Sequence, residues 1–335
     1  MDWLVSESEI LCLLSTHKRY HSGRRLWRAS QNRCVGDCED VKRRGMTILV
    51  TGHSGFVGRH VVPELIASGH EVICYGRRAP AAELCCRFIQ GDLGTRGGFD
   101  EIPWSEIEGV LHLATAGVKA STRHGNTDGC LRVNVTGLLT LLDTLRARSP
   151  RLARVVITPT FYELALSNHP ALFADPYIAT KYIATQAFKV WASGFAGQAS
   201  MAMLFQAFGP GDESGSVLSY IVSRLRAGEV AQMGSGHGLR DWIYIDDVAS
   251  GLSQLFDGEL LPGLNSHDLG SGRLHTIRHM AESIARALGL GPDRLEFDPS
   301  RDRLDCGLRF AAVHPLSGWK PRTDLATGIH NLIHT

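Results

Sequence analysis

Tyr177 and Lys181 stand four residues apart in Tyr-Ile-Ala-Thr-Lys. On a helix this spacing brings a phenol and an ammonium to one face. A cation beside a tyrosine favours the phenolate, so such a pair can trade a proton with a substrate oxygen. Upstream, Thr158-Pro-Thr160 offers hydroxyl donors able to polarise a carbonyl. A Tyr-x-x-x-Lys spacing is common by chance, and an amphipathic helix pair explains most instances. Its weight here comes from the segments around it. A second constellation, Gly52-His-Ser-Gly55-Phe-Val-Gly58, spaces three glycines as G-x-x-G-x-x-G. Glycine permits a tight strand-to-helix turn and lets backbone N–H groups approach a pyrophosphate at a helix N-terminus.

The elements that must position these residues follow from periodicity. Short apolar runs predict strands at 47–51, 71–75, 87–90, 110–113, 154–158 and 200–205. Apolar residues at helical spacing predict helices over 56–68, 130–146 and 177–192. Strands separated by helices argue an α/β fold with a parallel sheet covered on both faces. The glycine loop then falls between the first strand and the first helix, the position of a dinucleotide pyrophosphate. Gly52, Gly55, Phe56, Val57 and Gly58 are the candidate cofactor residues of that turn. The second strand ends in Tyr75-Gly76-Arg77-Arg78. A carboxylate there would take a ribose 2′-hydroxyl, whereas Arg77 and Arg78 suit a 2′-phosphate, which favours NADP and leaves NAD open. The competing account is that both arginines are simply solvated. Asp92 and Leu93 follow the third strand, where the carboxylate either meets the adenine amino group or caps its own loop.

Composition bounds the rest. The chain has 335 residues, 44% of them hydrophobic, and a formal net charge of +1. That is enough apolar material for a large core, and the charge gives no footprint for nucleic acid or an anionic membrane. No apolar run approaches the ~20 residues that span a bilayer. The eight cysteines form no Cys-x-x-Cys pair, which reads as reduced, cytoplasmic usage. Cys34, Cys38 and His21 lack partners at zinc-finger spacing, so no metal is expected. Residues 1–45 are rich in arginine and lysine without sustained periodicity and read as a poorly ordered extension. Met46, directly before the first strand, is an alternative start.

Taken together, the glycine loop, the Tyr177–Lys181 pair and the hydroxyl-bearing strand end resemble the extended short-chain dehydrogenases, which include sugar-nucleotide epimerases, dehydratases and ketoreductases. The resemblance runs from Met46 to the C-terminus. Leu111-His-Leu-Ala114 looks like the family's fourth-strand end beside the cofactor, which implies Leu113, Ala114 and Thr115 as cofactor contacts. Gly117-Val-Lys-Ala120 is similar to a segment of the sugar 4-epimerases whose lysine approaches the cofactor phosphates, which implies Lys119. Asn134-Val-Thr-Gly137 matches the N-V-x-G of the next helix and adds Asn134 to the cofactor set. Phe208-Gly-Pro-Gly211 is similar to the turn after the sixth strand, and Arg240-Asp-Trp-Ile-Tyr-Ile-Asp-Asp247 to R-D-x-x-x-V-x-D, whose arginine meets the substrate diphosphate.

The resemblance implies a Rossmann-like doubly wound parallel sheet with a smaller, interleaved substrate-binding lobe. The expected division is a dinucleotide-binding domain at 46–208, with 239–265 returning to it, and a substrate lobe at 209–238 and 266–335. Tyr177, Lys181 and Thr160 are the expected catalytic residues, and Lys181 also meets the nicotinamide ribose. Thr160, Gln206 and Arg240 are the expected substrate contacts. Departures are equally specific. Pro159 interrupts the usual hydroxyl pair, Glu163 replaces a glycine, Gln206 an asparagine and Met203 an arginine. The Asp-Glu pair with which 4,6-dehydratases eliminate water is absent after Thr160. The expected reaction is NADPH-dependent reduction of a keto group on a nucleotide-linked deoxysugar, the alternative being an NAD-dependent 4-epimerase. A cytoplasmic homodimer joined through the helices at 130–146 and 177–192 is expected.

Overall fold

The computed structural model describes residues 45–118, 126–259, 261–303 and 305–334. The readings of the basic N-terminal segment, of Cys34, Cys38 and His21, and of Lys119 fall outside the described residues. Alternation of strand and helix begins with β1 (Thr47–Thr51), α1 (Phe56–Ala67), β2 (Glu71–Gly76), β3 (Arg87–Gln90) and β4 (Gly109–His112). Helix α2 (127–148) follows; its middle, Leu131–Gly137, is wound as a π-helix. Next come β5 (Arg154–Ile157), α3 (Pro176–Ala192), β6 (Gln198–Leu204) and β7 (Gln206–Phe208). The remaining elements are α4 (Val217–Arg226), β8 (Ala231–Met233), β9 (Leu239–Tyr244), α5 (Ile245–Asp257), β10 (Gly263–Leu269), β11 (Leu274–Thr276), α6 (Ile277–Ala287), β12 (Leu295–Phe297) and α7 (Leu325–His334).

A seven-stranded sheet in the order β10-β6-β5-β4-β1-β2-β3 forms the centre. Every neighbouring pair in it is parallel. Both faces are covered, as the continuous apolar runs of its strands require. Alternation along β1 sends Ile48 and Val50 into one core with Val61, Leu65 and Leu252, and Leu49 into the other with Leu142, Phe188 and Trp191. The strand order reverses between β1 and β4, so loops at the carboxyl ends of those strands diverge and leave a crevice.

Two smaller sheets lie outside this frame. One runs β11-β9-β7 and the other pairs β12 with β8. The expected boundary at 265 cuts through β10, which pairs with β6 from Gly263 to Leu269 and belongs whole to the central sheet. Periodicity did not reveal this strand, because Leu-Asn-Ser-His-Asp is polar for an edge position that is buried only toward its C-terminal end. Among the described residues no helix is long and apolar enough to cross a membrane. Cys74, Cys85, Cys86, Cys130 and Cys306 are unbridged.

Candidate active site

The crevice opens into a cleft of about 1230 Å³ at the carboxyl end of the sheet. β1 delivers the glycine loop to its floor. Gly52 adopts φ +76°, and a Cβ there would fall 2.5 Å from the Ala114 nitrogen. A Cβ on Gly58 would fall 2.3 Å from the Gly52 carbonyl oxygen, so both positions need glycine for the loop to close. Gly55 caps α1 without a side chain, and the first turn carries no acidic residue. Its N–H groups and positive dipole end therefore suit an anion. Gly52, Gly55, Phe56, Val57 and Gly58 all line the cleft, as do Arg77, Arg78, Asp92, Leu93, Leu113, Ala114 and Thr115.

His53, not singled out from the sequence, organises this end. Its Nε2 donates to the Arg78 carbonyl at 2.8 Å, joining the glycine loop to the turn after β2. Burial pushes its pKa down, so it holds that contact as a neutral ring. Asp92 performs the local role weighed for it, accepting from the Gly94 N–H at 2.9 Å, while still lining the cleft. Beneath the loop, Thr51 Oγ1 meets His112 Nδ1 at 2.9 Å. His112 is fully enclosed, and desolvation, with Lys181 nearby, pushes its pKa down to about 3.

At the other wall α3 starts where Asp175 accepts from the Tyr177 N–H at 2.9 Å and the Ile178 N–H at 3.4 Å. Pro176 takes the first helical position, where a missing N–H costs nothing. This cap places Tyr177 in the first turn and Lys181 in the second, both lining the cleft. The Lys181 ammonium donates to the Thr158 carbonyl at 2.6 Å. Burial pushes its pKa down and the Glu163 carboxylate pushes it back up. Thr158 and Thr160, at the end of β5, line the same wall.

Asn134 departs from its expected place. Its carbonyl accepts from the Ala116 N–H at 2.7 Å and the Thr115 hydroxyl at 3.1 Å. Its amide donates to the Ala116 carbonyl at 3.1 Å and Thr180 Oγ1 at 2.9 Å. Buried and fully engaged behind the wall, it braces the loop after β4 against α3 and is not among the residues that line the cleft. The π-helical winding of α2 spans this residue.

Gln206 and Arg240 line the far side of the cleft. Arg240 is buried and donates to the Asp305 carboxylate at 2.8 Å and to the Leu239 carbonyl at 2.7 Å. The Tyr162 hydroxyl donates to the same Asp305 oxygen at 2.9 Å. Asp305 and Tyr162 were missed in sequence because Asp305 lies 65 residues beyond Arg240 and no local spacing links them.

A doubly wound parallel sheet with a glycine-lined anion loop and a Tyr–Lys pair facing it defines a nucleotide-cofactor enzyme of the extended short-chain dehydrogenase type. The sequence model of the NAD dependent epimerase/dehydratase family matches residues 48–259, and the chain belongs to that family. A UDP-glucose 4-epimerase of Mycolicibacterium smegmatis is 27% identical over 307 residues, covering 85% of this chain and 96% of the relative. A 2-alkyl-3-oxoalkanoate reductase of Stenotrophomonas maltophilia is 29% identical over 270 residues, covering 73% of this chain and 76% of the relative. The solved structure of MoeE5 in complex with UDP-glucuronic acid and NAD superposes with a TM-score of 0.69 at 25% identity, covering 86% of this chain and 97% of MoeE5. The chain is accordingly an enzyme of the NAD dependent epimerase/dehydratase family.

Proposed function

We propose that this enzyme reduces a keto group on a nucleotide-linked deoxysugar at the expense of NADPH. The observation that carries the reading is the strand end Arg77-Arg78, which lines the cleft beside the glycine loop where a carboxylate would select NAD. The loop that would cradle a dinucleotide closes only with glycine at 52 and 58, and the uncapped N-terminus of α1 and the two arginines supply positive potential for its phosphates. When bound, the cofactor supplies hydride chemistry. The chain's own residues do the rest. Tyr177 donates the proton to the carbonyl oxygen, Lys181 favours its deprotonated form between turnovers, and Thr160 polarises the carbonyl. Arg240 and Gln206 contact the nucleotide-linked part of the substrate. Because Arg240 is already paired with Asp305, an incoming diphosphate competes with that carboxylate.

Dehydration is disfavoured. The one acid following Thr160 in this turn, Glu163, carries its carboxylate behind the cleft wall, against the Thr160 N–H and Thr185, and not among the lining groups. The second reading is a 4-epimerase, favoured by the Gly117-Val118 segment at the cleft wall and by the name of the Mycolicibacterium relative. One experiment separates them. A purified sample given a 4-keto deoxysugar nucleotide oxidises NADPH mole for mole under the reductase reading. Interconversion of UDP-sugars without net cofactor turnover, with NAD retained in native mass spectrometry, selects the epimerase.

The protein is further proposed to work as a homodimer in the cytoplasm. Leu131 and Leu139 on α2, and Ile183 and Val190 on α3, are exposed, Val190 by 76%, on two helices that pack side by side. An apolar surface shared by adjacent helices suits a self-complementary interface.

A further inference from the structure

Glu163 occupies a position where the resembled family carries glycine, and its carboxylate is not among the groups facing the cleft. Its Oε1 accepts from the Thr160 N–H at 3.1 Å and from Thr185 Oγ1 at 3.1 Å. Thr185 lies one helical turn beyond Lys181 on α3 and is buried. A single carboxylate oxygen therefore ties the turn bearing Thr160 to the helix bearing Tyr177 and Lys181. The Thr160 contact belongs to a capping box that closes this short turn alongside the Glu163 N–H bond to the Thr160 carbonyl at 2.9 Å, whereas the Thr185 contact reaches outside the turn to α3.

The two hydrogen bonds would be served by any neutral acceptor. The charge calls for a separate reason. Burial pushes the Glu163 carboxyl up, against the pull of Lys181 first, then of the Thr160 and Thr185 contacts and of Lys189 two turns along α3. Burial likewise opposes the charge on Lys181, and Glu163 is the anion that supports it among the described residues. From β4, His112 faces Lys181 as a neutral ring and supplies no counter-charge.

We infer that Glu163 is a positioning residue: its carboxylate locks the Thr160 turn to the Lys181 helix and, bonded to Thr185 one turn from Lys181, supports the Lys181 ammonium through space without an ion-pair contact. The inference rests on the reading of Tyr177, Lys181 and Thr160 as the reacting groups. Its consequence is that Lys181 keeps its proton to higher pH than burial alone allows. Lys181 then acts on Tyr177 over a wider pH range.

The test reads Lys181 directly. Competitive labelling of amines with acetic anhydride across pH, followed by peptide mass spectrometry, gives the titration midpoint of Lys181 without any substrate. In Glu163→Gln the acceptor contacts survive and the charge is lost. The midpoint is expected to move to lower pH with thermal stability near wild type, and the alkaline limb of turnover to move the same way. Glu163→Asp keeps the charge and is expected to hold the midpoint near the wild-type value, which guards against a poorly folded Gln variant. A Lys181 midpoint unchanged in Glu163→Gln, with only melting temperature altered in Glu163→Ala, would overturn the inference. Failure of the catalytic reading looks different, as undiminished turnover in Tyr177→Phe, because the labelling midpoint does not depend on turnover.

Discussion

The Lys181 ammonium reaches the backbone carbonyl of Thr158 across 2.6 Å, so the second turn of α3 is tied to the end of β5. The contact directs the amine into the cleft wall between Tyr177 and the hydroxyl-bearing turn, and it sets what each substitution removes.

Tyr177→Phe keeps the ring and deletes the proton donor. Turnover is expected to fall by about 10²–10⁴-fold, the range for loss of a general acid, with cofactor affinity unchanged. Lys181→Met removes the charge that tunes Tyr177, the tie to Thr158 and a donor to the cofactor ribose, so turnover and cofactor affinity should fall together. Single-turnover rates and fluorescence titration of cofactor on the two variants check this. Near-normal rates for Tyr177→Phe end the mechanism.

Replacing both Arg77 and Arg78 by alanine is expected to weaken NADPH binding by about 10- to 100-fold, as loss of charge-assisted contacts to a phosphate would. NADH binding should hardly change, because it lacks the 2′-phosphate. Equal losses for the two cofactors would mean that the arginines are merely solvated or support the loop.

Stability should depend on pH through His112. Its folded pKa of about 3 lies below the ordinary 6.5 because burial opposes the charged ring. Between those values the unfolded chain binds a proton that the folded chain refuses, so stability rises with pH through this window and is lost as pH falls. The contribution approaches a slope of about 1.4 kcal/mol per pH unit for one such group. Guanidinium unfolding at pH 7 and pH 5 measures it, and His112→Gln, whose amide can still hydrogen-bond to Thr51, should flatten the dependence. Equal steepness in the variant would assign the acid loss to other groups.

The exposed apolar faces of α2 and α3 make a separate prediction. Ile183→Glu with Val190→Glu places charge on the surface proposed to be shared between subunits, without entering either core. Sedimentation should show a dimer for the wild-type protein and a monomer for the double variant. A wild-type monomer at micromolar concentration excludes the interface.

Local chemistry made much of this molecule legible. The apolar runs of β1, β2 and β4 to β6 could only be buried strands, and the glycines of 52–58 could only close a strand-to-helix turn, because both readings depend on neighbours in sequence. Tyr177 and Lys181 were readable for the same reason, a helix holding i and i+4 on one face. Residues coupled through space were not. Asn134 carries a motif that suggested a cofactor contact, yet its amide is spent on Thr115, Ala116 and Thr180, partners that only the packing of α2 against α3 assembles. His53 reads as a loop residue until β2 brings the Arg78 carbonyl to its ring. Asp305 becomes part of the site only when the chain returns to set it between Arg240 and Tyr162. β10 gave a polar segment whose place beside β6 rests on pairing between residues 65 positions apart. Sequence alone determined the strand–helix alternation, the glycine-lined turn and the shared helix face of Tyr177 and Lys181, since each is written in short-range spacing. Tertiary structure decided which buried polar groups face the cleft and which brace it, because burial and hydrogen-bond partnership are properties of the assembled neighbourhood.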